Sequence, residues 1–172
     1  MKTASLISGV CLCLLTASVS PAQIITTVAG TATGTGGYGG DGGPATSAQL
    51  YGPHGVAVSA TGDIYIADTV NNCVRKVSAN TGIITPFAGL CGSPGAYGGD
   101  TLPATQANLN APFNLFIDPA GNVYITDSNN HAVRKVDTSG VITTIAGSGA
   151  PCNQVPSPCG DGGPATLALL KT

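Results

Sequence analysis

The chain repeats itself with a period of about sixty residues. Ile-Thr-Thr-Val-Ala-Gly at 25–30 returns as Ile-Thr-Pro-Phe-Ala-Gly at 84–89 and as Ile-Thr-Thr-Ile-Ala-Gly at 142–147. A period of this length fixes an architecture before any one residue is interpreted, because each copy must bury its apolar face against the next. Two copies are complete. The first runs Gly-Pro-His-Gly-Val-Ala-Val at 52–58, Gly-Asp-Ile-Tyr-Ile-Ala-Asp at 62–68, Asn-Asn-Cys-Val-Arg-Lys-Val at 71–77 and Gly-Ile-Ile-Thr-Pro-Phe-Ala-Gly at 82–89. The second runs Ala-Pro-Phe-Asn-Leu-Phe-Ile at 111–117, then 121–127, 130–136 and 140–147.

Each apolar run is short, rich in Val, Ile and Thr, and bounded by Gly, Pro, Asn or Asp, which predicts four strands per copy. Thr61-Gly62 and Ala120-Gly121 mark a first hairpin. Asp68 to Asn72 and Asp127 to His131 mark the second, where Asp and Asn side chains can bond back to local N–H groups. Asn80-Thr81-Gly82 and Thr138-Ser139-Gly140 mark the third. Four antiparallel strands in a meander make one blade of a propeller, so the expected class is all-β.

Between copies lies an insert, Gly-Asp-Gly-Gly-Pro-Ala-Thr-Ser-Ala-Gln-Leu at 40–50, recurring at 99–109 and 160–170. Pro44, Pro103 and Pro164 sit where a first helical residue tolerates proline, which predicts a single helical turn packing small residues on the blade.

These residues resemble the NHL repeat family in its long-insert form. The naming motif is visible as Asn130-His131-Ala132-Val133-Arg134-Lys135-Val136, while the first copy has Asn71-Asn72-Cys73 and lacks the His. The resemblance covers essentially all of 23–172 and implies a ring of about six blades, of which two are complete here. It implies a leading strand and insert at 23–51, a first blade with its insert at 52–110, and a second blade with its insert at 111–172. It implies a binding platform and no particular activity. Residues 24–29 align with the fourth strand of a blade, so the N-terminal strand is expected to complete the last one. The expected sources of the remaining blades are a longer chain, of which this would be a fragment, or further copies of this one, three of which would supply six.

The first residues read as a secretory signal peptide, 1–22. Lys2 supplies the charge, Ala4 to Ala17 the apolar stretch, and Ser20-Pro21-Ala22 the cleavage site. The expected location is secreted, periplasmic or extracellular, with no membrane attachment after cleavage. Removing 1–22 takes only Lys2 from the charged residues and leaves five Lys and Arg against eight Asp. With so few cations and no basic run, nothing attracts a phosphate backbone, and nucleic acid is excluded as a partner. Four cysteines remain, and their even number in an exported chain predicts disulfides, Cys152–Cys159 across a short loop and Cys73–Cys91 by default.

No catalytic triad, phosphate loop, cofactor fingerprint or zinc spacing is present, so no cofactor is expected. Gly36-Gly37-Tyr38-Gly39-Gly40-Asp41 matches a calcium nonapeptide superficially, but Asp41, Asp100 and Asp161 recur every sixty residues instead of every nine. Arg75 and Arg134 repeat, as do Asp68 and Asp127, and are read as structural pairs. Tyr65 and Tyr124 are expected to pack between blades. The candidate ligand-facing residues are His54, Asn71, Asn72, Asn114, Asn130 and His131, on loops that a rigid scaffold leaves free to vary. The expected role is a non-enzymatic scaffold for a protein or glycan ligand. The alternative is part of a propeller hydrolase or lyase with a metal-assisted site on the central axis, supplied mostly by further blades.

Overall fold

A computed structural model of the chain describes residues 24–31, 34–152 and 159–171. The expected signal peptide lies outside them. Two four-stranded antiparallel sheets follow each other in chain order. The first comprises β1 (Pro53–Val58), β2 (Ile64–Asp68), β3 (Cys73–Val77) and β4 (Ile84–Ala88). The second comprises β5 (Pro112–Ile117), β6 (Val123–Asp127), β7 (Ala132–Val136) and β8 (Ile142–Ala146). Both are meanders with matching register: Ile66 faces Arg75 and Ile125 faces Arg134. The turns sit where the glycines require them, Gly62 at φ +84° and Gly121 at +91°, values open to glycine without a Cβ penalty.

The two sheets meet along β1, β2 and β5. Gly55 permits the closest approach, since a Cβ there would lie 2.7 Å from the Asn114 Cα. First strands therefore line the inner side of the stack and fourth strands the outer. One continuous core fills the joint. Tyr65, Ala67, Val74 and Ala88 come from the first blade, Ala104, Ala107 and Leu109 from the insert, and Leu115, Val123, Ile125, Val136 and Ile142 from the second blade. A second cluster, with Ala45, Ala48, Ile66, Val77 and Ile84, repeats the insert and leading-face parts of that joint.

Each insert contains one 3-10 turn, at Ala45–Ser47, Ala104–Gln106 and Ala165–Leu167. The sequence places proline at the first helical position; in the structure Pro44, Pro103 and Pro164 precede it as N-caps with ψ near 131°. An extended residue there lets the chain turn into the helix with no donor lost. Ala45 and Ala48 are buried, as are Ala104 and Ala107, which is why only small residues fit.

The leading segment is expected to complete a blade that is not among the described residues. No ladder forms over 24–31, and Ile24 and Ile25 are exposed. Its end nevertheless keeps the repeat geometry. Gly30 N donates to Ala45 O at 2.9 Å, as Gly89 N does to Ala104 O and Gly147 N to Ala165 O. Tyr65 packs in the joint with its ring edge-on to Phe87, whereas Tyr124 is half-buried and bonds Asp118 at 3.1 Å.

Candidate functional site

The densest polar cluster in each blade forms where β2 or β6 ends. Asp68 caps its hairpin from inside. One carboxylate oxygen accepts Tyr51 N–H at 2.7 Å, and the other accepts Asn71 Nδ2 at 2.9 Å and Arg75 Nη1 at 3.3 Å. Arg75 continues outward to Asp41 of the preceding insert and to the carbonyls of Gly39 and Gln49, both at 3.3 Å. The Tyr38 ring lies 5.1 Å from the guanidinium, and its hydroxyl donates to Asp41 at 2.5 Å.

The second blade repeats the arrangement. Asp127 accepts Asn110 N–H, Asn130 Nδ2 and Arg134 Nη1 at 2.7, 2.8 and 3.2 Å. Arg134 reaches Asp100 at 2.9 Å and the Gly98 carbonyl at 3.1 Å, with the Tyr97 ring 5.4 Å away. Both arginines and both inner aspartates are fully buried. Burial pushes the Asp68 and Asp127 carboxyls up, against the hydrogen bonds and the arginine charge that favour ionisation. One guanidinium thus joins two carboxylates and two carbonyls, fastening an insert to the blade that follows. Its planar fork makes this possible, and a lysine could not span the same partners. An arginine on Asp41 also opposes any cation at the loop that resembles a calcium motif.

This geometry corrects two of the ligand-facing candidates. Asn71 and Asn130 are buried, and their amides bond the Gly37 and Ala96 carbonyls at 2.8 and 2.7 Å besides the aspartates. The hairpin turns them inward because Asp68 and Asp127 need a donor three residues on. Asn72 is half-buried at φ +56° and bridges elements, donating to Ser93 O at 3.0 Å and accepting Ala111 N–H at 2.9 Å. His131 occupies the same left-handed position at φ +47°.

His54 and Asn114 do face outward, at the start of the inner strands. His54 Nδ1 lies 2.9 Å from Gly52 O and 3.1 Å from Thr69 Oγ1, and its ring packs 4.4 Å from Phe113. Asn114 Oδ1 accepts Leu115 N–H at 3.0 Å. Phe113 is half exposed and was not singled out in the sequence, although it aligns with His54. Asp41, Asp100, Tyr38 and Tyr97 were also missed as partners of the arginines. The signal was there, since Tyr-Gly-Gly-Asp occurs at both 38–41 and 97–100. Among the described residues no group of three or more His, Cys, Asp or Glu could hold a metal ion, and no helix is long and apolar enough to cross a membrane. Cys73 bonds Cys91 and Cys152 bonds Cys159, with Cα separations of 5.0 and 5.7 Å.

The profile described as NHL repeat matches residues 50–77, and that described as Teneurin NHL domain matches 93–166. Teneurin-3 of Danio rerio is 36% identical over 121 residues, and human Teneurin-1 is 32% identical over 120. Each match covers 68% of this chain, which spans only 4% of the length of those relatives. A structural genomics protein of unknown function from Bacteroides thetaiotaomicron superposes with a TM-score of 0.54 at 22% identity, over 69% of this chain and 28% of that one. Virginiamycin B lyase from Staphylococcus aureus gives 0.40 at 20% identity, over 62% and 28%.

Proposed function

This chain belongs to the NHL-repeat β-propeller family, and on that premise we propose that it is an exported, non-enzymatic binding scaffold whose contact surface is the inner rim formed by the starts of β1 and β5. The observation that carries this reading is the division of labour between the repeats. Residues identical in both blades, Asp68, Asn71, Arg75 and their counterparts Asp127, Asn130 and Arg134, are buried and hold the frame. The rim residues differ between blades, His54 against Phe113 and Gly55 against Asn114, and they stand exposed or beside exposed neighbours on a rigid support. A scaffold with fixed strands and variable edges is suited to recognition.

The rim offers an aromatic face, an imidazole and an amide, a combination that suits a protein loop or a glycan. Export is supported by the Cys73–Cys91 bond, which belongs to an oxidising compartment. The test is binding of the purified 23–172 protein to a glycan microarray and to a panel of immobilised extracellular domains. A ligand should emerge whose affinity falls at least tenfold in Phe113→Ala and His54→Ala, with Ile24→Ser unchanged. Binding indifferent to both rim variants would place the contact surface elsewhere, and turnover of a ligand would overturn the non-enzymatic reading.

A further inference from the structure

The imidazole of His54 is held in one tautomer. Its Nδ1 lies 2.9 Å from the Gly52 carbonyl oxygen and 3.1 Å from Thr69 Oγ1. A carbonyl oxygen can only accept. The buried Thr69 hydroxyl has a single proton, and its shortest bond is the one it donates to the Pro112 carbonyl at 2.7 Å. Toward His54 the hydroxyl therefore accepts as well. Both partners demand a proton on Nδ1, so the neutral ring keeps its lone pair on Nε2. Among the described residues Nε2 has no hydrogen-bond partner. The second blade carries Phe113 at the aligned position, so the acceptor belongs to the first blade.

The direction of that lone pair follows from covalent geometry and does not depend on which blades flank the pair. Gly52 and Thr69 both belong to the first blade, and the ring puts Nε2 on the edge far from Nδ1. Nε2 therefore points away from its own blade, into the space that the inner strands border. Phe113 covers one face of the ring, with centroids 4.4 Å apart. A blade ahead of the first, built on the same repeat, would add its own residue to the other face by the same stack and leave the edge open.

The surroundings of Nε2 select the donor. Asp63 with its partner Lys76, and Asp118 and Asp137, lie at or beside the turns at the opposite end of the strands. Asp68, the nearest acid in sequence, turns both oxygens into the clasp. The exposed neighbours are apolar: Phe113, and Val70, whose Cγ2 would lie 2.8 Å from a Cβ at Gly52. A solitary acceptor in an uncharged, apolar setting fits an O–H carried on a ring with an apolar C–H face. A carboxylate has no proton to give Nε2, and no cation stands here to offset its charge. We propose that His54 Nε2 is the polar anchor of a neutral-glycan subsite, accepting a hydrogen bond from a sugar hydroxyl while the sugar ring rests on the apolar neighbours. The proposal rests on the rim being the contact surface and names the class of ligand it takes.

The experiment follows the imidazole itself by nitrogen NMR. The 23–172 protein, isotope-labelled in its histidine rings and held at a pH where they are neutral, is titrated with neutral oligosaccharides of glucose, mannose, galactose and N-acetylglucosamine, and separately with an oligogalacturonate. His131→Asn, which installs the residue the first repeat carries at 72, assigns the signals. Free His54 should show a protonated Nδ1 and an unprotonated Nε2. A neutral probe should shift Nε2 in the direction of hydrogen bonding and leave Nδ1 protonated, and oligogalacturonate should move neither. His54→Phe keeps an aromatic ring on the stack and lacks the acceptor, so affinity for that neutral probe should fall about tenfold, with the fold unchanged by circular dichroism. A proton on Nε2 in the free protein, a mixture of tautomers, or no response of Nε2 to any neutral probe would overturn the proposal. So would a probe that binds His54→Phe as tightly as wild type, which leaves the rim as the contact surface with Phe113 carrying the affinity. Capture of an extracellular protein domain at the rim in place of any glycan keeps the scaffold reading and sinks the sugar subsite. Turnover of a bound glycan does the reverse.

Discussion

Asp100 lies 2.9 Å from Arg134, thirty-four residues further along the chain, and this pair fastens an insert to the blade that follows it. Asp41 and Arg75 do the same one repeat earlier at the same spacing. Arg134 is wholly buried and also holds Asp127, so the clasp closes the hairpin and the insert together.

Replacing Asp127 by Ala leaves Arg134 buried with only the outer, partly exposed Asp100. Removing one partner of a buried ion pair costs about 3 kcal/mol or more, because the remaining charge stays desolvated. Asp127→Ala should therefore lower the urea midpoint markedly. Arg134→Lys should do so too, since one ammonium cannot reach both carboxylates and the Asn108 and Gly98 carbonyls. Unfolding curves followed by circular dichroism would check both.

Asn72 gives a second stability test, because it joins three elements. Its amide donates to Ser93 O and accepts Ala111 N–H, so one side chain spans a strand end, an insert and the start of the next blade. Truncation to Ala removes two hydrogen bonds and leaves a buried-edge N–H unpaired, at a cost of about 1–2 kcal/mol. The left-handed backbone adds about 1 kcal/mol for alanine. Asn72→Gly keeps the backbone and loses only the bonds, so its urea midpoint should fall between wild type and Asn72→Ala.

The strands and hairpins were legible because their signals are local. Val and Ile runs broken by Gly62, Gly121 and the Asp–Asn turns specify a meander without reference to anything distant. The helical turns were legible as turns, but the placement of Pro44 was off by one position, as caps depend on backbone angles that composition does not show. The clasp was half legible. Asp68 and Arg75 are close in sequence and repeat, whereas Asp41 joins them from thirty-four residues away, and only the recurrence of Tyr-Gly-Gly-Asp marked it. Asn71 and Asn130 misled because an Asn in a turn reads the same whether its amide points to water or to a buried carboxylate. The pairing of Cys73 with Cys91 rested on elimination, since no local pattern specifies a partner eighteen residues away.

That bond, present in the first blade alone, supplies a third prediction. The second blade has Ala132 and Gly149 at the equivalent positions and keeps the same fold. The double variant Cys73→Ala, Cys91→Gly should therefore fold. Opening a loop of eighteen residues raises the entropy of the unfolded chain and costs about 3 kcal/mol on the chain-entropy account. Urea unfolding should show that loss, and a reductant should lower the wild-type midpoint by a similar amount through this bond.

The last prediction concerns Tyr38, whose hydroxyl closes the outer end of the first clasp. Burial of the ring against the insert pushes its pKa up to about 12, and the hydrogen bond to Asp41 and that carboxylate's charge add to the rise, while Arg75 opposes it. The unfolded chain would release the proton near 10. The folded protein therefore holds its proton where the unfolded chain has lost it. The stability conferred is fully present below pH 10 and is lost as pH climbs through about 12. Titration of ring-labelled tyrosine by NMR should show late resonances for Tyr124, whose hydroxyl bonds Asp118, and for Tyr38, with that of Tyr38 the latest. In Asp41→Asn the Tyr38 resonance should titrate earlier, because both the charge and the ionic acceptor are gone, and in Tyr38→Phe it should vanish together with its share of the alkaline loss of stability. A Tyr38 resonance unmoved by Asp41→Asn would mean that burial alone sets the shift and that the hydroxyl does not rely on the clasp.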